Sequence, residues 1–250
     1  MVKRIYTMLA ERRKDVCIVY HNSGQICPQV HGFAGAFING KNFVSRLHKN
    51  RGYEEILRPD AYLAGYRGLH FGVVSAFLPE FRASGELSKA MKKPTLHTEE
   101  TRAEYEEIGK HQNYLFGLSL LHESQTSTGW LYHRESKEKS FRILRDIRYS
   151  DSSVKFIPYW NQKICPLDKK DGIVSFYAGK DFAAVVLMNL SSVSKTFDLE
   201  LDCRALGLSG ALQAENLQYP EKTVMRDNVL TVENVPSMEY RTIRLTGKKK

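Results

Sequence analysis

The sequence predicts an α/β half followed by an all-β half: the C-terminal half of a (β/α)8 (TIM-type) barrel over residues 1–160, then an antiparallel β-sandwich with a basic tail over residues 161–250. Three observations lead there. Over residues 1–150 four apolar runs alternate with helix-like segments. Each run ends in polar residues, as parallel strands do at the end where ligand-binding groups gather. After the aromatic stretch Phe156-Ile157-Pro158-Tyr159-Trp160-Asn161 the pattern changes to short strands separated by turns, which continues to the end. That stretch is read as the hinge between the two halves, because its proline lacks a backbone donor and its paired aromatics form a rigid packing surface.

In order, residues 3–13 place Ile5, Met8 and Leu9 on one side of a helix. Val16-Cys17-Ile18-Val19-Tyr20 is an apolar, β-branched run, expected to be a strand buried on both faces and ending in His21-Asn22-Ser23-Gly24. Gly32 to Ile38 forms a second strand closed by Asn39-Gly40, and helical material follows around Tyr53-Glu54-Glu55-Ile56-Leu57 and Ala61 to Tyr66. Phe71 to Leu78 is a third buried strand, with Glu80 just past its end. Residues 83–98 read as a loop or short helix, residues 99–114 as the clearest helix, with acidic groups first and basic groups later. Residues 115–121 are expected to be the fourth strand, ending in His122-Glu123-Ser124, before a loop from Gln125 and a helix around Phe141 to Ile147. In the sandwich, strands are expected over 172–177, 182–190, 195–201, 228–232 and 241–245, with turns at Gly179-Lys180-Asp181 and Arg226-Asp227-Asn228.

The 250 residues carry a net charge of +9, of which residues 151–250 hold 14 Lys and Arg against 12 Asp and Glu. Such a surplus attracts nucleic acid or acidic glycans when it is clustered. Here it is scattered over helix faces, which speaks against a nucleic-acid partner. No apolar run reaches eighteen residues, so no membrane-spanning helix is expected. The basic start Met1-Val2-Lys3-Arg4 runs into Glu11-Arg12-Arg13 with no apolar core behind it, so the chain reads as untargeted and its compartment stays open. Cys17, Cys27, Cys165 and Cys203 lie far apart without metal-ligand spacing, so neither metal nor other cofactor is expected, and Cys17 and Cys203 are read as buried thiols. A half barrel leaves two sheet edges open, which invites association through them and suggests that the chain is the rear part of something longer.

Several stretches resemble the glycoside hydrolase family 123-like catalytic domains: Tyr20-His21-Asn22-Ser23; Gly32-Phe33-Ala34 with Asn39-Gly40; Tyr66-Arg67-Gly68 through Phe71-Gly72 to Phe77-Leu78-Pro79; Phe156 to Trp160; and Val185-Val186-Leu187-Met188-Asn189-Leu190-Ser191. The likeness covers most of residues 15–245, and a β-sandwich directly after a barrel is the layout of many carbohydrate-active enzymes. The resemblance implies a retaining glycosidase that uses the N-acetyl group of its substrate as nucleophile, with an adjacent Asp-Glu pair at a strand end in the first half of the barrel. No Asp-Glu dipeptide occurs in these residues, so the pair is expected upstream. Lys41 stands where the resemblance leads one to expect an acid.

Among the acids present, Glu54-Glu55, Glu99-Glu100 and Glu106-Glu107 are read as solvated helix faces. Glu123 beside His122 is the best carboxylate–imidazole pair for catalysis, the acid with a raised pKa and the imidazole bonding sugar hydroxyls. The alternative is that the two brace the connection to the next helix. His21, Asn22 and Glu80 are the polar candidates for carbohydrate binding, with Arg82 as the simplest ion-pair partner of Glu80. Trp130, Tyr159 and Trp160 are the candidates for stacking on a sugar, against a plain packing role. The competing functional reading is a non-catalytic carbohydrate-binding or interaction protein.

Overall fold

The computed structural model describes residues 2–21, 30, 32–41, 43, 52–66, 69–70, 73–81, 85–92, 98–126, 132–219 and 223–247, with backbone alone for 69–70 and 91–92. The chain divides into two compact units, Met1–Leu115 with His122–His133, and Phe116–Leu121 with Arg134–Lys250.

The first unit contains helices α1 (Val2–Ala10), α2 (Tyr53–Ile56), α3 (Pro59–Tyr66) and α4 (Gly85–Lys92), together with most of α5 (Glu99–Leu121). Its sheet comprises β1 (Val19–His21), β2 (Ala36–Asn39), β3 (Leu69–His70), β4 (Val73–Phe77) and β5 (Gln125–Thr126). β1, β2, β4 and β5 are parallel, in the order β1-β2-β4-β5, while β3 runs antiparallel along the amino half of β4. Buried and half-buried residues alternate along β4, and Phe77 at its end is the hub of the core. The Phe77 ring lies 5.0–6.2 Å from those of Phe43, Tyr53, Tyr62 and Tyr66. Tyr53, Tyr62 and Tyr114 keep their hydroxyls satisfied, as burial of a phenol requires. Tyr114 Oη donates to Leu57 O at 2.9 Å, and Tyr62 Oη pairs with Ser124 Oγ at 2.6 Å.

Two expectations for this unit are corrected. Residues 115–121 are not a strand but the final turns of α5. The run Leu115-Phe116-Gly117-Leu118-Ser119-Leu120-Leu121 has no β-branched residue and no breaker ahead of it, and leucine is a good helix former. The fourth parallel strand is instead the two-residue β5, where a loop was expected. Nor is the first strand buried on both faces. It starts at Val19, which is 58% exposed, and Cys17 is an exposed free thiol rather than a core residue, because among the described residues β1 pairs with β2 alone.

The second unit holds the end of α5, α6 (Arg134–Asp146) and two antiparallel sheets. One sheet orders β10 (Leu212–Asn216), β13 (Tyr240–Gly247), β8 (Phe182–Asn189), β7 (Gly172–Ala178) and β6 (Lys155–Ile157); the other orders β11 (Val224–Arg226), β12 (Val229–Val235) and β9 (Lys195–Glu200). Alternate residues such as Val185, Leu187, Ile243 and Leu245 face Leu199, Leu230 and Val232 in one core, with the buried thiols Cys165 and Cys203 at its margin. The opposite face of the five-stranded sheet receives the end of α5. There Tyr177 Oη donates to Leu120 O at 2.7 Å and Ser175 Oγ to Leu121 O at 2.9 Å, capping carbonyls that a helix end leaves without partners. Asp227 and Asn228, both at positive φ, form the two-residue turn between β11 and β12. Asn189 is fully buried, and its amide donates to Val193 O and Val235 O at 2.8 Å while its oxygen accepts from Ser191. Asn189 therefore ties the end of β8 to the end of β12 in the other sheet. The aromatic hinge, residues 156–161, lies within this unit, on β6 and the turn after it. β10 and β11 had no expectation in the sequence.

Candidate functional site

The carboxyl ends of the parallel strands gather one connected set of polar groups. β2 ends at Asn39, which is 5% exposed; its carbonyl accepts the Leu78 N–H at 2.7 Å, and its side-chain oxygen accepts the Gly40 N–H at 2.8 Å. Gly40 has φ +120°, and a Cβ there would meet the Phe77 ring at 2.6 Å and Leu78 O at 3.0 Å, so the turn requires glycine. The turn delivers Lys41, whose Nζ lies 3.3 Å from Glu80 Oε1. The Glu80 side chain is 14% exposed, that of Lys41 54%.

Tyr53 fixes the backbone of Glu80 from both sides, donating to its carbonyl at 2.7 Å and accepting its N–H at 3.2 Å. Burial pushes the Tyr53 phenol well above its ordinary range, so it stays neutral and can serve both bonds. Glu80 is thus a carboxylate on an immobilised backbone with, among the described residues, an ion-pair partner at the rim. That partner is Lys41; Arg82, suggested by the sequence, lies outside the described residues. His21 ends β1 exposed, in register with Ile38, one residue short of Asn39 along the same edge.

His122 and Glu123 occupy a different place. With residues 115–121 helical, they follow the end of α5 and precede β5, whose Gln125 pairs with Ala76. They therefore precede the amino end of β5, whereas Glu80 lies beyond the carboxyl end of β4. His122 is 1% exposed, its ring 4.9 Å from that of Tyr62. Glu123 adopts φ +52° in the position after the helix cap, where glycine or asparagine is usual. Its side chain reaches solvent, yet desolvation still raises its carboxyl above the ordinary range.

Tyr159 and Trp160 are half-buried in the second unit, edge to face with ring centroids 5.0 Å apart, and Trp160 also meets the Phe156 ring at 6.1 Å. The Tyr159 N–H donates to Ser175 Oγ at 3.0 Å. Asn22 and Trp130 lie outside the described residues.

The acids read as solvated faces are corrected in part. Glu54 Oε2 lies 2.8 Å from His111 Nδ1, with Glu107 3.4 Å from the other ring nitrogen, and Glu106 lies 3.5 Å from His133 Nε2. Burial is the largest single influence on the Glu54 carboxyl and raises it, but the hydrogen bond from His111, a backbone hydrogen bond and the charges of His111 and Lys110 together outweigh it, and the carboxyl is lowered. Glu107 and His111 are four residues apart on α5, but Glu54 and His111, and Glu106 and His133, are far apart in sequence, so no local spacing announces those two pairs. Among the described residues, no group of three or more His, Cys, Asp or Glu side chains could hold a metal ion, and no helix is long and apolar enough to cross a membrane.

No protein-family model matches the chain, and no curated protein matches it. Solved structures do. An α-amylase from Anoxybacillus is similar at a TM-score of 0.51 and 10% identity, over 100% of this chain and 56% of that one. The α-amylase of Geobacillus thermoleovorans, solved with acarbose, is similar at 0.54 and 7%, over 99% and 57%. AmyP, solved with maltose, is similar at 0.53 and 9%, over 100% and 62%. The chain thus spans little more than half the length of the solved structures it matches. At these identities the likeness concerns the fold: a parallel α/β sheet followed by antiparallel β sheets, in part that of a barrel glycosidase with its β domain, gives the chain a glycoside hydrolase-like fold.

Proposed function

We propose that the chain is the carboxyl-terminal, saccharide-binding portion of a retaining glycoside hydrolase that acts on N-acetylated sugars by substrate assistance, with its Asp-Glu pair supplied by residues outside this sequence. The observation that carries this reading is the Asn39–Lys41–Glu80 cluster at the carboxyl edge of the parallel strands, the end where ligands bind in barrel folds. Glu80 is ion-paired, so its part is to accept hydrogen bonds from sugar hydroxyls, and Lys41 donates to the same sugar. His21 extends the row. His122 and Glu123, from their place at the amino end of β5, hold the frame of the sheet and are not assigned to the sugar.

The ion pairing of Glu80 also favours the second reading, a carbohydrate-binding protein without hydrolase activity of its own. One pair of assays tests what the two readings share, saccharide binding by this chain without turnover. Titration of the chain with chitotetraose is expected to show saturable binding, and incubation with aryl N-acetylhexosaminides to show no turnover above background. Turnover by the chain alone would mean that the catalytic acids lie among these residues and are not an adjacent Asp-Glu pair. Absence of any saccharide binding would remove both readings.

A further inference from the structure

A cavity of about 820 Å³ opens in the β unit on the face of the five-stranded sheet away from the sandwich core. It lies among the Lys180-Asp181 turn, the loop before β10, and the outer sides of β10 and β13. Ile243 and Leu245 point into the core, so Arg244 and Thr246 point the other way, and the ladder sets Gln213 beside Thr246. The volume falls within the range of small-molecule sites and suits one or two sugar rings.

The charges around it do not balance. Asp181 is engaged by Arg148, which donates to both of its oxygens at 3.1 and 3.3 Å. Lys180 and Arg244 remain as the cations on the wall. The Arg244 guanidinium lies over the Phe182 ring, 5.3 Å from its centroid, which fixes its plane and leaves its edge to act as donor. Its Nε is shut off from solvent and has no hydrogen-bond partner among the described residues, so the group is partly desolvated without the internal bonding that burial usually brings. Glu215, opposite Arg244 in the ladder, is exposed and does not line the cavity. Ser209, Gln213 and Thr246 complete a polar lining suited to hydroxyl groups.

We infer that this cavity is an accessory site for an acidic sugar unit. The carboxylate is received by Arg244 and Lys180, and the ring hydroxyls by Gln213, Ser209 and Thr246. The choice of a saccharide rests on the function proposed above; the choice of an anion rests on the cavity alone. Such a site would hold an acidic glycan chain on the β unit independently of the parallel strands.

The test is titration of the full chain, at low salt, with a hyaluronan tetrasaccharide and with chitotetraose as its uncharged N-acetylated counterpart. Arg244→Gln and Lys180→Glu are each expected to weaken hyaluronan binding at least about tenfold, the loss of one charge-assisted contact. Lys180 sits in a hairpin turn, so its variant tests the site even if Arg244→Gln unfolds. Glu99→Gln, at the exposed start of α5, leaves the cavity untouched and should retain hyaluronan binding. If chitotetraose fails to bind while hyaluronan binds through Lys180, the function proposed above is wrong and the accessory site stands. The inference is overturned if Lys180→Glu binds hyaluronan like the unaltered chain, if Glu99→Gln is the variant that loses it, or if hyaluronan does not bind.

Discussion

Glu123 shows how one residue can carry two opposed costs. Its backbone is left-handed at φ +52°, a conformation that disfavours an L side chain by about 1 kcal/mol, and its carboxyl is raised by desolvation. Glu123→Gly should therefore stabilise the protein by about 1 kcal/mol, seen as a rise of a few degrees in thermal unfolding; a fall would mean that the side chain makes a contact outweighing the strain. Glu54 has the opposite sign. Its carboxyl is lowered in the folded state, so its contribution is present above the ordinary carboxylate range and disappears as pH falls through the folded value. Glu54→Gln should lose on the order of 1 kcal/mol at pH 7, discounted for partial exposure, and nothing near pH 2. Urea unfolding at the two pH values checks the difference. In sequence, the position of Glu80 was legible because an apolar strand followed by Leu78-Pro79 marks its own end. Its partner Lys41 was not, since the pairing crosses from β2 to β4 and depends on the φ of Gly40.

At the scale of elements, α5 illustrates where pattern reading stops. An apolar run of seven residues fits a buried strand or a buried helix equally well by periodicity. What decides for helix is the leucine-rich composition, together with caps from Tyr177 and Ser175, which lie more than fifty residues further on. Gly117 reports the same packing. Helix propensity alone would make Gly117→Ala stabilising by about 1 kcal/mol. However, a Cβ there would fall 2.6 Å from Tyr240 Cδ1 and 2.7 Å from Cγ, and Tyr240 is buried and cannot step aside. Gly117→Ala is expected to lose about 1–3 kcal/mol by overpacking, measured by urea unfolding. The strands β7, β8, β9, β12 and β13 were legible because their apolar residues are bounded by turn residues. β5 was not, because two residues carry no period; β10 and β11 were missed because Leu212-Gln213-Ala214-Glu215-Asn216 and Val224-Met225-Arg226 are short and only half-buried.

For the whole molecule, the change from a helix–strand pattern to closely spaced strands was enough to foresee a parallel sheet followed by antiparallel ones, the architecture shared with the solved amylases. The candidate site was legible only in part. The sequence placed Glu80 and His21 at strand ends, but it also put Glu123 at the carboxyl end of a strand that is in fact a helix. The placement of Glu80 after the end of β4 and of Glu123 before the start of β5 gives the account its sharpest test. Chitotetraose affinity is to be measured for the unaltered chain, Glu80→Gln and Glu123→Gln, each variant first checked for folding by thermal unfolding. The account predicts a loss of at least about tenfold for Glu80→Gln, equivalent to one charge-assisted contact, and affinity within twofold of the unaltered chain for Glu123→Gln. Loss of binding in Glu123→Gln with retention in Glu80→Gln would contradict it.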